Sequence, residues 1–309
     1  MHDMEPDLSV RVGPLRLKNP VLAASGTFGY GQEYQPLFDP SLLGGIVVKG
    51  LSLHPRAGNP PPRIVETPCG MLNAIGLANI GVERFLREKL PRLRGLDTAV
   101  VANIYGHSVE DYGEVAGALR GVEGIDALEV NISCPNVRQG GMAFCTDPAA
   151  SARVTETVLA RSDKPVIVKL SPNVTDIREP AAAVERAGAH ALSLINTLTG
   201  MVVDVETRRP VLANVKGGLS GPAIRPVAVR MVHEVVEAVG IPVIGVGGIA
   251  TGRDALEFLI TGARAVEVGT AGFADPRATV RILEDLRGFC RSRGIERLET
   301  VIGTLRTDG

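Results

Sequence analysis

The chain lacks an excess of charge of either sign. Its 309 residues carry 33 Lys and Arg against 34 Asp and Glu, a formal net charge of −1. That excludes the broad basic face of a nucleic-acid binder and leaves no acidic or basic tail. Clustered cysteine is also missing. Cys69, Cys134, Cys145 and Cys290 are dispersed and form no CxxC pair, so neither a zinc knuckle nor a cysteine-held cluster is readable. The five histidines (His2, His54, His107, His190, His233) show no ligand spacing, and no metal site is expected. No run of ~18 apolar residues is present to span a membrane. The opening Met1-His2-Asp3-Met4-Glu5-Pro6 is polar and acidic, where a secretory signal is basic and then apolar. A reduced cytoplasm is the expected compartment, with residues 1–6 as a loose tail. With no internal repeat and no linker-like break in composition, a single domain over 1–309 is expected.

What is there is apolar side chain and glycine. Hydrophobic residues make up 45% of the chain and charged residues 22%, enough to fill a large core and exclude intrinsic disorder. Glycine, at 36 of 309 residues, exceeds the usual ~7% without the triplet period of collagen. Such a surplus implies many tight turns, or backbone held close to a ligand.

Short runs rich in Val, Ile, Leu and Ala recur at 21–24, 45–48, 98–104, 127–133, 166–170, 191–196, 243–247 and 265–269. None alternates polar with apolar, as expected for parallel strands buried on both faces. Helical patterns lie between several of them. Val82, Phe85, Leu86 and Leu90 share one helix face. Ser108 with Asp111, Asp147-Pro148, Thr251 with Asp254 (before a helix at 255–260) and Asp275-Pro276 read as helix starts. Eight strands with helices in most gaps predict an α/β fold, a (β/α)8 TIM barrel. Residues 8–12 and 15–17, flanking Gly13-Pro14, predict a small N-terminal β-hairpin closing its bottom. The longest gap, 196–243, reads as extra loop material before its helix.

In such barrels the chemistry sits where the strands end. Here the ends carry Ser25-Gly26, Lys49-Gly50, Asn103, Asn131 to Asn136, Lys169, Asn196-Thr197, Gly247-Gly248 and Gly269-Thr270. Each alone is compatible with a structural role; together they point to a site. The glycine pairs after the last two strands lie where many barrels bind phosphate, the alternative being plain turn glycine. Gly245, Gly247, Gly248 and Ala250 also fit a dinucleotide fingerprint, with Glu267 as its acid, but a Rossmann unit starting there would have only ~65 residues and leave six strands unexplained. Lys49 and Lys169 are either stems reaching solvent or two fixed positive charges that stabilise an anion, such as a reduced flavin or a carboxylate. In Asn131-Ile132-Ser133-Cys134-Pro135-Asn136 the cysteine is either buried and inert or a general base beside orienting amides. No histidine adjoins it to form an ion-paired nucleophile.

Asn73-Ala74-Ile75-Gly76-Leu77, the Asn131 to Asn136 segment, Val168-Lys169-Leu170-Ser171-Pro172, Ile195-Asn196-Thr197 and Gly217-Gly218-Leu219-Ser220-Gly221-Pro222 resemble the dihydroorotate dehydrogenases, in the family's order and spacing over essentially the whole chain. Cys134 stands where class 2 members have serine, and so resembles class 1. Asn73-Ala74-Ile75-Gly76-Leu77 and Asn136-Val137-Arg138-Gln139-Gly140-Gly141 resemble the B subclass. The resemblance implies oxidation of dihydroorotate to orotate in pyrimidine biosynthesis, with one FMN per chain as hydride acceptor. It implies FMN contacts from Ser25, Lys49, Gly50, Asn103, Asn131, Lys169, Ile195, Gly221, Gly247, Gly248, Gly269 and Thr270. It implies substrate contacts from Lys49, Asn73, Ala74, Ile75, Gly76, Leu77, Asn131, Asn136, Asn196 and Thr197. Cys134 would remove the C5 proton while C6 gives hydride to flavin N5, and Lys169 would stabilise the reduced ring. Further implications are a homodimer core within a heterotetramer and a partner subunit carrying FAD and a [2Fe–2S] cluster that passes electrons to NAD. Cys145 stands where relatives are expected to have glycine. Other readings of the same barrel are a fumarate-linked class 1 enzyme, a dihydropyrimidine-reducing flavoenzyme, a flavin-free aldolase or isomerase, and a non-catalytic binding barrel.

Overall fold

The computed structural model describes residues 5–133 and 144–307. Eight parallel strands close into a barrel: β1 (Val21–Ala23), β2 (Gly45–Val47), β3 (Ala99–Ile104), β4 (Ala127–Asn131), β5 (Val166–Lys169), β6 (Ala191–Leu194), β7 (Val243–Val246) and β8 (Ala265–Val268). Each pairs with its sequence neighbours, and β8 pairs with β1. All eight predicted runs are strands, one to two residues shorter than read; seven lose residues at the end toward the mouth, and the run 98–104 loses Thr98 at its start. The chain is a (β/α)8 barrel. Its first gap departs from the simple scheme, since two 3-10 turns, Gln32–Tyr34 and Pro40–Leu42, stand there in place of an α-helix.

The helix starts follow their capping chemistry. Ser108 and Asp111 form a complete capping box, as do Thr251 and Asp254, each satisfying otherwise orphaned N–H groups. Asp147 accepts from Ala149 N with Pro148 at the first helical position. The predicted helix at 82–90 is interrupted: Val82–Glu88 ends at Lys89 and a second turn, Leu90–Leu93, follows. Pro91 lacks the N–H to continue the first helix. The last helix begins at Ala278, because Asp275 caps a turn by accepting from Arg277 N.

The predicted hairpin is present, Val10–Val12 pairing with Leu15–Leu17. Val10, Val12, Leu15 and Leu17 pack against Leu22, Val47, Val101, Ala127, Ile167, Ala191, Ile244 and Ala265, one residue from each barrel strand. The hairpin therefore plugs the bottom. Of the expected loose tail 1–6, Pro6 is buried and Glu5 pairs with Arg287 and Arg291, while residues 1–4 lie outside the described residues.

The gap at 196–243 carries the expected helix, Arg225–Ala238, but the stretch before it is not loop alone. Leu198–Gly200 and Gly217–Ser220 join Ile64–Thr67 and Gly70–Asn73 in a four-stranded antiparallel sheet beside the mouth, with Leu72 opposite Leu219 and Leu198 opposite Leu219. Leu72, Ala74 and Leu212 form a small core of its own.

Candidate active site

Strand periodicity builds the site. Side chains two residues apart point to the same face, so the layer above the apolar plug consists of Ala24, Lys49, Asn103, Glu129, Lys169, Ser193, Val246 and Glu267. The inward face thus changes from apolar to polar one step up the barrel. A cavity of about 1010 Å³ opens above it. All twelve residues expected to hold FMN line this cavity, as do Asn73, Ala74, Ile75, Gly76, Leu77, Asn196 and Thr197 from the substrate set. Cys134 and Asn136 lie outside the described residues.

Lys169 does not reach for solvent. Its ammonium is buried, 2.9 Å from Glu267 Oε2 and 3.5 Å from Glu129 Oε1. Of the two fixed positive charges expected at the mouth, Lys169 is faced by two carboxylates. Burial works against the Lys169 charge, but Glu129 and Glu267 outweigh it and raise its pKa. Glu129 also accepts from Asn103 Nδ2 at 2.5 Å and from Ser193 Oγ at 2.7 Å. Burial opposes its ionisation too, yet Lys169 and these donors keep its pKa lowered. The sequence reading passed over Glu129 and weighed Glu267 only as a fingerprint acid. Glu267 stands inside the barrel on β8, which removes the dinucleotide alternative. The available signal was a lone carboxylate in each of two apolar runs, Leu128-Glu129-Val130 and Val266-Glu267-Val268.

Lys49 differs. It pairs with no described carboxylate, and burial, then the Arg63 charge, lowers its pKa. An unpaired, partly desolvated ammonium of this kind is a ready anion contact. Across the cavity, Asn131 is held by its oxygen: Oδ1 accepts from Ser133 Oγ at 2.5 Å, from Ser133 N at 3.2 Å and from Asn196 Nδ2 at 3.4 Å. Its Nδ2 makes no hydrogen bond to a described residue and is left for a ligand. Ser133 Oγ in turn accepts from Asn196 Nδ2. Thr197 N donates to Asn196 Oδ1 at 2.8 Å.

The Asn73 to Leu77 loop is fixed from behind. Asn59 Nδ2 donates to Ala74 O, while Tyr105 Oη and Asn79 Nδ2 both donate to Leu77 O. Its outer wall, the four-stranded sheet, was not foreseen. Gly218 there is required by contact, since a Cβ would lie 2.0 Å from Thr197 Oγ1.

The backbone N–H groups of Gly247, Gly248, Gly269 and Thr270 line the cavity and donate to no described residue. Gly248 has φ +74°, and a Cβ on it would lie 2.8 Å from Arg225 N, so glycine is needed for the helix Arg225–Ala238 to approach. Unpaired amides at this end of β7 and β8 suit a phosphate. Together with the cavity's size and the ammonium of Lys169 at its floor, they fit a phosphorylated flavin. Cys145 lies elsewhere: it is buried in the turn Phe144–Thr146 and lines a separate cavity of about 330 Å³ with Pro172 and Asn173.

Residues 7–289 match the family described as dihydroorotate dehydrogenase. Among similar proteins, "Dihydroorotate dehydrogenase B (NAD(+)), catalytic subunit" of Solidesulfovibrio magneticus is 58% identical over 304 residues, covering 98% of this chain and 99% of the relative. Proteins of the same description from Geobacter sp. (strain M21) and Geobacter sulfurreducens are 57% and 55% identical, each over 97% of this chain and over 98% and 99% of their own lengths. On a match that spans the barrel from the N-terminal hairpin to the last helix, the chain belongs to the dihydroorotate dehydrogenase family.

Proposed function

We propose that this chain oxidises dihydroorotate to orotate as the FMN-bearing catalytic subunit of an NAD-linked enzyme. The observation that carries the reading is the single cavity that receives both the residues expected for FMN and the described residues expected for substrate. The relatives' shared description supports the substrate and the acceptor.

The free N–H groups at Gly247, Gly248, Gly269 and Thr270 would hold the FMN phosphate, and Ser25, Gly50, Asn103, Ile195 and Gly221 on the cavity walls and Lys169 at its floor would hold the rest of the cofactor. When bound, FMN supplies a two-electron acceptor for hydride from the substrate's C6. Lys49 pairs with the substrate carboxylate. The amides of Asn73, Asn131, Asn136 and Asn196 match the donors and acceptors of the pyrimidine edge, and Thr197 completes that wall with the Asn73 to Leu77 loop. Cys134 takes the C5 proton.

Purified chain is expected to absorb near ~450 nm as an oxidised flavin does, and to release FMN and not FAD on denaturation. Colourless protein that takes up no added FMN would overturn the reading. Reduction of that flavin by dihydrouracil in preference to dihydroorotate would reassign the substrate.

Electrons must then leave. The dispersed cysteines offer no cluster-binding set, and the segment at Gly247 is taken by phosphate. The chain is therefore expected to reduce NAD only when a partner subunit with FAD and a [2Fe–2S] cluster is added. With a formal charge of −1, docking is expected to rest on an apolar contact. Full NAD-linked turnover by the chain alone would refute the two-subunit reading, and brisk turnover with fumarate would move it to the other cysteine subclass.

A further inference from the structure

We propose that Glu129, Lys169 and Glu267 form a proton-holding site beneath the cavity, in which one proton sits between the two carboxyl groups on Glu267 and makes this cluster of three electrically neutral instead of negative. The geometry sets up a count that does not close otherwise. The cluster holds two carboxylates and one ammonium, all buried. Glu129 has a donor for each oxygen, Asn103 for Oε1 and Ser193 for Oε2. Glu267 has Lys169 for Oε2, but its Oε1 is buried with no donor among the described residues. A buried, unpaired carboxylate oxygen is costly. Glu129 and Glu267 nevertheless contact one another. A proton on Glu267 directed at Glu129 satisfies the orphan and turns like-charge repulsion into a hydrogen bond.

The other ammonium of the layer, Lys49, makes no ion pair with either carboxylate, both of which face Lys169 alone among the described residues. In the same inward layer, β1 presents Ala24, β2 Lys49, β3 Asn103, β4 Glu129, β5 Lys169, β6 Ser193 and β7 Val246. Only Lys49, Glu129 and Lys169 among these are charged. Burial first, then the Glu129 charge, pushes Glu267 up to about 8. The site therefore keeps its proton at neutral pH and loses it in mild alkali, and loss of the proton adds a negative charge under whatever anion the cavity binds. In this role Glu267 is a positioning residue acting through Lys169, and its coupling to the cavity rests on the FMN reading above.

Infrared spectra of the full-length protein test the proton directly. Wild type is expected to show the C=O band of a protonated buried carboxyl at neutral pH, fading as the pH passes about 8. E267Q and E129Q are each expected to lack it, since one carboxylate facing one ammonium ionises. Absence of the band from wild type, or its survival in E267Q, overturns the proposal whether or not flavin binds. The second measurement is the dissociation constant of FMN against pH. It is expected to rise about tenfold more steeply in wild type than in E267Q between about pH 7 and about pH 9. Parallel curves would overturn the coupling to the cavity. Failure of every variant and of wild type to bind FMN would instead sink the proposed function, with the infrared result still deciding the proton.

Discussion

Replacing Lys169 by Met is expected to destabilise the folded chain by about 3–5 kcal/mol, the usual cost of removing one partner from a buried ion pair. Among the described residues the ammonium is the one positive group in contact with both Glu129 and Glu267, each essentially inaccessible to water. Methionine conserves length and apolar volume, so the loss is electrostatic rather than a cavity effect. Without Lys169 the two carboxyl groups are held protonated in the folded state, with pKa values above those of the unfolded chain. Groups shifted upward contribute stability below the unfolded carboxylate pKa and lose it as pH rises toward the folded value. The deficit should therefore be small near pH 4.5 and widen through neutrality. Urea denaturation of wild type and variant at several pH values measures it. Adding Glu267→Gln to Lys169→Met should recover part of the loss, because one buried acid then no longer has to stay protonated. A deficit that is flat with pH, or no recovery in the double variant, would show that Lys169 acts by packing alone. The variant is also expected to bind FMN poorly, since the floor loses its cation.

Cys134→Ala is expected to slow reduction of the bound flavin by dihydroorotate by ~10²-fold or more, the span of a lost acid–base group, with FMN content and orotate affinity close to wild type. Cys134 follows Ser133 in sequence, and Ser133, tied to Asn131 and Asn196, lines the cavity with them. Cys134→Ser should fall between, an alcohol being the poorer base at neutral pH. Cys145→Ala is the control. Burial raises the Cys145 thiol above the ordinary range, and its cavity is not the one that gathers the lysines and asparagines. Stopped-flow mixing with dihydroorotate separates these outcomes. Harm from Cys145→Ala with none from Cys134→Ala would mean the wrong thiol has been assigned.

The barrel was legible because its determinants are local. Each strand is a short, mostly apolar run with a polar or glycine end, and each cap pairs residues two or three positions apart, as Ser108 with Asp111 and Thr251 with Asp254. The mouth residues were legible for the same reason, since parallel strands in a closed barrel all end on one side. The sheet beside the mouth was not. Its strands Gly70–Asn73 and Gly217–Ser220 are half-buried and glycine-rich, and what makes them strands is pairing between Leu72 and Leu219 across the chain.

The sequence by itself therefore determined the (β/α)8 architecture, the hairpin plug and the set of side chains delivered to one end. Only the tertiary structure decided their charge state and their company. Lys169 reads alone as a free cation at a strand end. Closure of the barrel brings β4, β5 and β8 around a common axis and sets Glu129 and Glu267 against it. Local sequence dictates which way a side chain points, through the two-residue period of the strand. Which charges meet in the barrel interior depends on residues as far apart as 169 and 267, and in a medium that screens little that meeting sets which groups hold a proton.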